Sequence, residues 1–319
     1  VSIGWLARVY RVAVRTGSAR ICLLAAMLTV IAARLLIAQP ALAQEAAAPC
    51  QQAPAPGNSE VALESGGLQR TANVLVPPAS AGQRLPVVVV LRGEGAVNFA
   101  AYSGFSTIAE AEGFVAVYPE PIEQGAGHTF WNIDAAPAGP DDVEFIADLL
   151  DRLEGSLCID PSRVYAAGVS NGGGMAALLA CELSSRFAAI ASIAGGYSTL
   201  PSCDPAEPVS VLEIHGTADG VVPYDGAAGS GAGAVRPWLA AWRARDGCQS
   251  HVGVSEIAAR VKRYRWSACA QGTSVEHVEI LGGGHQLPGA LPPDPGQTST
   301  FSAPWLTWSF LRQHRRPVV

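Results

Sequence analysis

Continuous apolar runs of strand length alternate along this chain with amphipathic stretches of helix length. Residues 85–91, Leu-Pro-Val-Val-Val-Val-Leu, are too few for a helix and apolar throughout, the pattern of a parallel strand covered on both faces. Further extended segments are predicted over 114–118, 163–169, 188–193, 210–214 and 274–281. Helices are predicted over 99–112, 141–157, 171–184, 235–245 and 303–312. In the second of these, Val143, Phe145, Ile146, Leu149, Leu150 and Leu153 recur at helical spacing behind an Asp-rich first turn, where carboxylates suit the helix dipole. Strands alternating with helices predict an α/β fold with a mostly parallel central sheet flanked by helices and no large lid. Residues 61–319 carry this pattern without an internal linker, so one domain is expected.

The N-terminal region departs from it. Residues 1–20 carry Arg8, Arg11, Arg15 and Arg20 without an acid, residues 21–33 are largely apolar, and Ala41-Leu42-Ala43 precedes Gln44. This is the layout of a secretory signal peptide over 1–43, cleaved after the small-residue site. The competing reading is a membrane anchor over 21–38, interrupted by Arg34. Residues 44–60, rich in Ala, Pro and Gln, read as a flexible lead-in.

Of 319 residues, 49% are apolar and 15% charged, which excludes disorder and coiled coil. The net charge is −6 with Lys262 the only lysine, and removal of 1–43 takes away five arginines and no acid. A nucleic-acid footprint is absent. Outside the signal stand six cysteines, Cys50, Cys158, Cys181, Cys203, Cys248 and Cys269, with no C-x-x-C pair and no histidine spacing that completes a zinc site. In an exported chain they are expected as disulfides, paired 248–269, 181–203 and 50–158. No metal or cofactor is expected.

Gly168-Val169-Ser170-Asn171-Gly172 closes a predicted strand and opens a predicted helix. That context makes a G-x-S-x-G match a nucleophile elbow, with small residues on either side letting strand and helix approach while Ser170 is aimed above the sheet. A serine hydroxyl needs a histidine to take its proton, and the imidazole needs a carboxylate to hold its tautomer. In the chain order of such hydrolases the acid comes next and the histidine last. Asp219, past the strand at 210–214, and His285, behind Gly282-Gly283-Gly284, stand where that order requires. Glu213 and Asp225 are rival acids; His215, His251, His277 and His314 are rival bases. The oxyanion donors are expected to be the backbone N–H groups of Asn171 and Glu94, with Gly95 in reserve.

With these residues in place, the chain resembles the secreted poly(3-hydroxybutyrate) depolymerase-like and feruloyl esterases of the α/β-hydrolase fold. The resemblance rests on Asp142-Val143, Cys158-Ile159-Asp160-Pro161-Ser162-Arg163-Val164-Tyr165, Gly168 to Gly174, Phe187 to Ile190, His215 to Asp219 followed by Val222-Pro223-Tyr224, Trp242 to Cys248, and Gly282 to His285 with Leu287-Pro288-Gly289. It implies that Ser170, Asp219 and His285 are the catalytic residues and that Trp131-Asn132 corresponds to the family's Trp-Asn segment, with Trp131 a candidate for the acyl-pocket wall. One departure is Arg92-Gly93, where the family's oxyanion loop usually reads His-Gly.

The leading expectation is a secreted serine carboxylesterase, in periplasm or medium, acting on feruloyl or acetyl esters of plant-wall polysaccharide. The alternative is a depolymerase acting on 3-hydroxybutyrate oligomers; depolymerases of solid polymer resemble a catalytic domain joined to a polymer-binding module, which is not read here. A non-catalytic binding protein of the same fold is disfavoured because all three triad positions are filled. No nucleic-acid partner and no stable membrane insertion after signal cleavage are expected.

Overall fold

The computed structural model describes residues 54–79, 82–124, 127–134, 139–197, 200, 202–226, 233–290 and 301–317. The expected signal peptide, most of the lead-in and Cys50 lie outside the described residues. The chain forms β1 (Gly57–Ser65), β2 (Leu68–Val76), β3 (Leu85–Leu91), α1 (Phe99–Tyr102), α2 (Phe105–Glu112), β4 (Val115–Pro119), α3 (Asp142–Ser156) and β5 (Ile159–Val169). There follow α4 (Asn171–Glu182), β6 (Ala189–Ile193), β7 (Ser210–Gly216), α5 (Val235–Arg245), β8 (Gly253–Ala258), β9 (Val261–Trp266), β10 (Val275–Ile280) and α6 (Ala303–Leu311).

One ten-stranded sheet has the order β1-β2-β4-β3-β5-β6-β7-β10-β9-β8. The six strands from β4 to β10 in that order are parallel, and an antiparallel pair closes each end: β1–β2 on β4, β9–β8 on β10. All seven residues of β3 are buried, and their alternation divides the core. Val87, Val89 and Leu91 pack with Phe145, Leu149, Met175 and Trp242 from α3, α4 and α5. Val88 and Val90 pack with Phe105 and Ile108 of α2 and Trp308 and Phe310 of α6. Helices thus cover both faces, as the apolar run required.

Four expectations change. The helix read over 99–112 is two helices, because Gly104 takes φ 83° and breaks the repeat between α1 and α2. The strand read from 163 begins at Ile159, pairing with Leu85 across a register shift. The lead-in read to residue 60 is too long: β1 starts at Gly57. Its outward positions are exposed, and only Val61, Leu63 and Ser65 turn inward. The β8–β9 hairpin, not foreseen, is an exposed edge whose β8 has five of six residues open to solvent.

Disulfides join Cys181 to Cys203 and Cys248 to Cys269. The first ties the end of α4 to the β6–β7 connection, and the second ties the segment after α5 to the approach to β10. Cys158 is also disulfide-bonded; its expected partner Cys50 lies outside the described residues. Among the described residues no helix is long and apolar enough to cross a membrane.

Candidate active site

Ser170 sits between β5 and α4 with φ 57° and ψ −122°, a conformation that costs a non-glycine residue roughly 1–3 kcal/mol. The flanking glycines make the turn sterically possible. A Cβ on Gly168 would collide with the Gly172 carbonyl, and one on Gly172 with the carbonyls of Leu91 and Arg92. The Ser170 N–H donates to the Ile193 carbonyl (2.9 Å), which anchors the strained residue to β6.

Asp219 follows β7 and His285 follows β10, and parallel pairing of those strands brings both loops to the carboxyl edge where β5 delivers Ser170. Gly216 decides how closely the loops approach, since a Cβ there would strike the Gly283 carbonyl. The Ala218 N–H donates to that same carbonyl at 2.9 Å, and the Gly282 N–H to Thr217 Oγ1 at 2.8 Å. So held, His285 Nδ1 lies 2.8 Å from Asp219 Oδ2; the Asp219 side chain is wholly buried and that of His285 is 21% exposed. Ser170 makes no hydrogen bond to His285 among the described residues; such pairs commonly tighten only when substrate is seated.

Burial by itself would raise the Asp219 carboxyl. Hydrogen bonds from His215, His285 and the Val222 and Val221 amides outweigh it and hold the group far below the usual carboxylate range. It stays ionised at any pH at which an esterase works, as an imidazole-orienting carboxylate must. Of the rivals, Asp225 and His251 are exposed. His314 lies at the opposite edge, bonded to Ser210 and Ser274. Glu213 is buried between His215 and His277, at 2.8 and 2.6 Å.

Gly93 lies directly against the serine: a Cβ placed on it would stand 3.3 Å from Ser170 Cβ and 3.9 Å from Oγ. The reserve donor Gly95 is occupied, its N–H bonded to the Thr129 carbonyl at 3.1 Å, whereas the Glu94 N–H meets no backbone carbonyl among the described residues. The Asn171 N–H, in the first turn of α4, has no intrahelical acceptor. Both expected donors are therefore unoccupied by the fold.

Arg92 is the residue whose role the sequence left open. Its guanidinium is buried beneath this loop, bonded to Glu120 Oε2 (2.8 Å), Thr129 Oγ1 (2.9 Å) and the Gly93 carbonyl (3.2 Å). Trp131, expected on the acyl-pocket wall, is corrected: it has no exposed surface, and its indole N–H donates to the Arg92 carbonyl at 3.0 Å. Asn171 clamps it from the other side, Oδ1 accepting from the Trp131 N–H (2.7 Å) and Nδ2 donating to its carbonyl (3.1 Å). An indole spread between the loop and the elbow props both, and leaves no face for substrate. Among the described residues no group of three or more His, Cys, Asp or Glu is arranged to hold a metal ion.

Residues 71–223, which contain the elbow and Asp219, match the family model described as Esterase PHB depolymerase. Over those residues, just under half of the chain, the protein is similar to that family. A putative esterase, NocK, of Nocardia uniformis subsp. tsuyamanensis is 38% identical over 144 residues, 44% of this chain and 42% of that protein. Feruloyl esterase D of Neurospora crassa is 31% identical over 212 residues, 66% of this chain and 65% of that one. The chain thus spans less than two thirds of the length of these family relatives. The fold is shared with a solved acetyl xylan esterase from Aspergillus awamori, at a TM-score of 0.54, 15% identity, and coverage of 74% of this chain and 96% of that one.

Proposed function

We propose that the protein is a secreted serine carboxylesterase of the feruloyl and acetyl-xylan type, acting through Ser170, His285 and Asp219. The observation that carries this reading is the 2.8 Å bond between His285 Nδ1 and the buried Asp219 carboxylate, at the same sheet edge as the strained serine elbow. The Asp219 carboxylate keeps the Nδ1 proton in place, so His285 Nε2 is free to accept the Ser170 proton as Oγ attacks the ester carbonyl. The Glu94 and Asn171 N–H groups receive the oxyanion, and His285 returns the proton to the departing alcohol. Water then attacks the acyl-serine by the same route in reverse. The feruloyl preference is supported by the names of the family relatives. Export is supported by the arginine-rich, then apolar, then Ala-Leu-Ala leader and by the disulfides.

The test compares the protein with Ser170→Ala on methyl ferulate, p-nitrophenyl acetate and a 3-hydroxybutyrate trimer. Ferulate release by the wild type alone supports the proposal. Preference for the trimer moves the protein to the polyester branch of its family. No turnover, together with no fluorophosphonate labelling of Ser170, overturns the serine mechanism and leaves a binding protein of the same fold.

A further inference from the structure

Behind Asp219 lies a buried polar cluster that the triad does not use. Glu213 and His215 alternate on β7 and point to one face, and β10 sets His277 and Glu279 beside them in register, His277 opposite Glu213 and Glu279 opposite His215. His215 meets acceptors at both ring nitrogens. Its Nδ1 is 2.8 Å from Glu213 Oε1, and its Nε2 is 2.9 Å from the Val222 carbonyl oxygen and 3.3 Å from Asp219 Oδ2. A neutral imidazole has one N–H and one lone pair, so either tautomer would press a lone pair against a buried acceptor. The arrangement is satisfied only when both nitrogens carry protons.

Every other polar group around the pair fits that charge. Glu213 Oε2 lies 2.6 Å from His277 Nδ1, and the Tyr197 hydroxyl donates to Glu213 Oε1 (3.3 Å). The Tyr224 ring meets His215 edge-on at 5.9 Å; its hydroxyl is 2.8 Å from His277 Nε2 and donates to Glu279 (3.1 Å), which is ion-paired with Arg236. Besides His277, no basic side chain faces His215 or Glu213 among the described residues. Burial would lower the His215 imidazole, yet the carboxylates of Asp219 and Glu213 carry it up to about 10. Burial likewise works against the Glu213 carboxylate, and the two histidines pull it below its ordinary value.

We propose that Glu213 and a constitutively protonated His215 form a positioning pair that pins the Asp219 carboxylate and sets the net charge His285 meets when it takes the serine proton. A cation alone beside Asp219 would cancel the charge that stabilises the imidazolium of His285. Glu213 restores it, so that Glu213, His215 and Asp219 together carry one negative charge. The inference rests on the triad reading, and it makes the two members of the pair separable. Glu213→Gln leaves the cation uncompensated and disfavours a second positive charge at His285. His215→Gln leaves two carboxylates uncompensated and favours it.

Two measurements on the full chain decide it. In nitrogen-15 spectra of histidine-labelled protein, His215 is expected to show two N–H signals from about pH 5 to about pH 9, whether or not any ester is turned over. A singly protonated His215 at neutral pH overturns the proposal, and this readout needs neither activity nor a variant. In kinetics, kcat is expected to fall roughly 10- to 100-fold in each single variant, with KM little changed. The acidic limb of the kcat/KM profile should move by about half a unit or more, to lower pH in Glu213→Gln and to higher pH in His215→Gln. The double variant should return the limb towards that of the wild type. Lowered activity with both limbs unmoved overturns the charge-setting role in favour of packing alone. If the wild type hydrolyses no ester and Ser170 takes no fluorophosphonate, the triad reading has failed, while the spectra still decide the state of His215.

Discussion

Replacing Arg92 by methionine keeps the buried aliphatic stem and removes the guanidinium that ties the proposed oxyanion loop to its surroundings. Three bonds are lost. The contact with Glu120 is partly open to water, Glu120 being 42% exposed, and contributes at most about 1 kcal/mol. The bonds to Thr129 Oγ1 and the Gly93 carbonyl come from a charged donor with 7% exposure, the second of them long at 3.2 Å. Together they are worth about 2 kcal/mol, so Arg92→Met should unfold roughly 3 kcal/mol more easily. The catalytic effect follows from position. The Gly93 carbonyl belongs to the peptide whose N–H is that of Glu94, so freeing that carbonyl loosens the donor itself. Deleting an oxyanion donor outright costs about 10²–10³ in kcat, and letting one drift should cost about 10- to 100-fold. Urea unfolding followed by tryptophan fluorescence gives the first quantity, and turnover of p-nitrophenyl acetate at saturation gives the second. A variant that loses the stability but keeps kcat within about twofold of the wild type would refute the argument, because the guanidinium would then hold the fold without holding the donor.

Two other perturbations test the frame around the site. Burial pushes the Asp246 carboxyl up to about 7, against weaker opposition from the Val209 N–H and Arg245. A raised carboxyl favours the folded state in its protonated form, so its contribution is complete below about pH 4 and is lost as pH rises towards about 7. Asp246→Asn, which cannot ionise, should match the wild type in a melt near pH 4 and exceed it near pH 8 by on the order of 3–4 kcal/mol; an equal difference at both pH values contradicts the assignment. Converting both Cys248 and Cys269 to alanine opens a loop closed over 21 positions and should cost about 3 kcal/mol in urea, with kcat unchanged because the bridge lies away from Ser170. A fall in kcat for the folded double variant would show that the segment leading into β10 transmits strain to His285.

Much of this arrangement was legible before any coordinates, and the reason is locality. The continuous apolar run of β3 needs no partner to announce burial on both faces. The glycines around Ser170 are demanded by a turn of five residues, and the order serine, acid, histidine runs along the chain. The predicted bounds of α5 agree with those observed, and those of α3 and α4 lie within two residues, because each is an apolar stripe complete within its own sequence. Even the two disulfides joining described cysteines could be anticipated as staples of short loops.

Other features depend on what other segments do. The outer hairpin strands β1 and β8 stand at the rims of the sheet with most of their positions exposed, and neither carries the continuous apolar run that announces a buried strand. Trp131 reads as a pocket aromatic until the carbonyl of Arg92 and the side chain of Asn171 enclose it from two distant elements. Arg92 reads as a departure from the family pattern until Glu120 and Thr129 supply its partners. His215 reads as an ordinary motif residue until β7, the Asp219 loop and the Val222 carbonyl place acceptors at both of its nitrogens. The sequence by itself determined the layering of the fold and which residues are candidates for the reacting groups, since these follow from periodicity and from steric needs within a few residues. Tertiary structure alone decided which side chains are enclosed and which charges they carry, because desolvation and hydrogen-bond satisfaction are properties of a site closed by segments far apart in the chain.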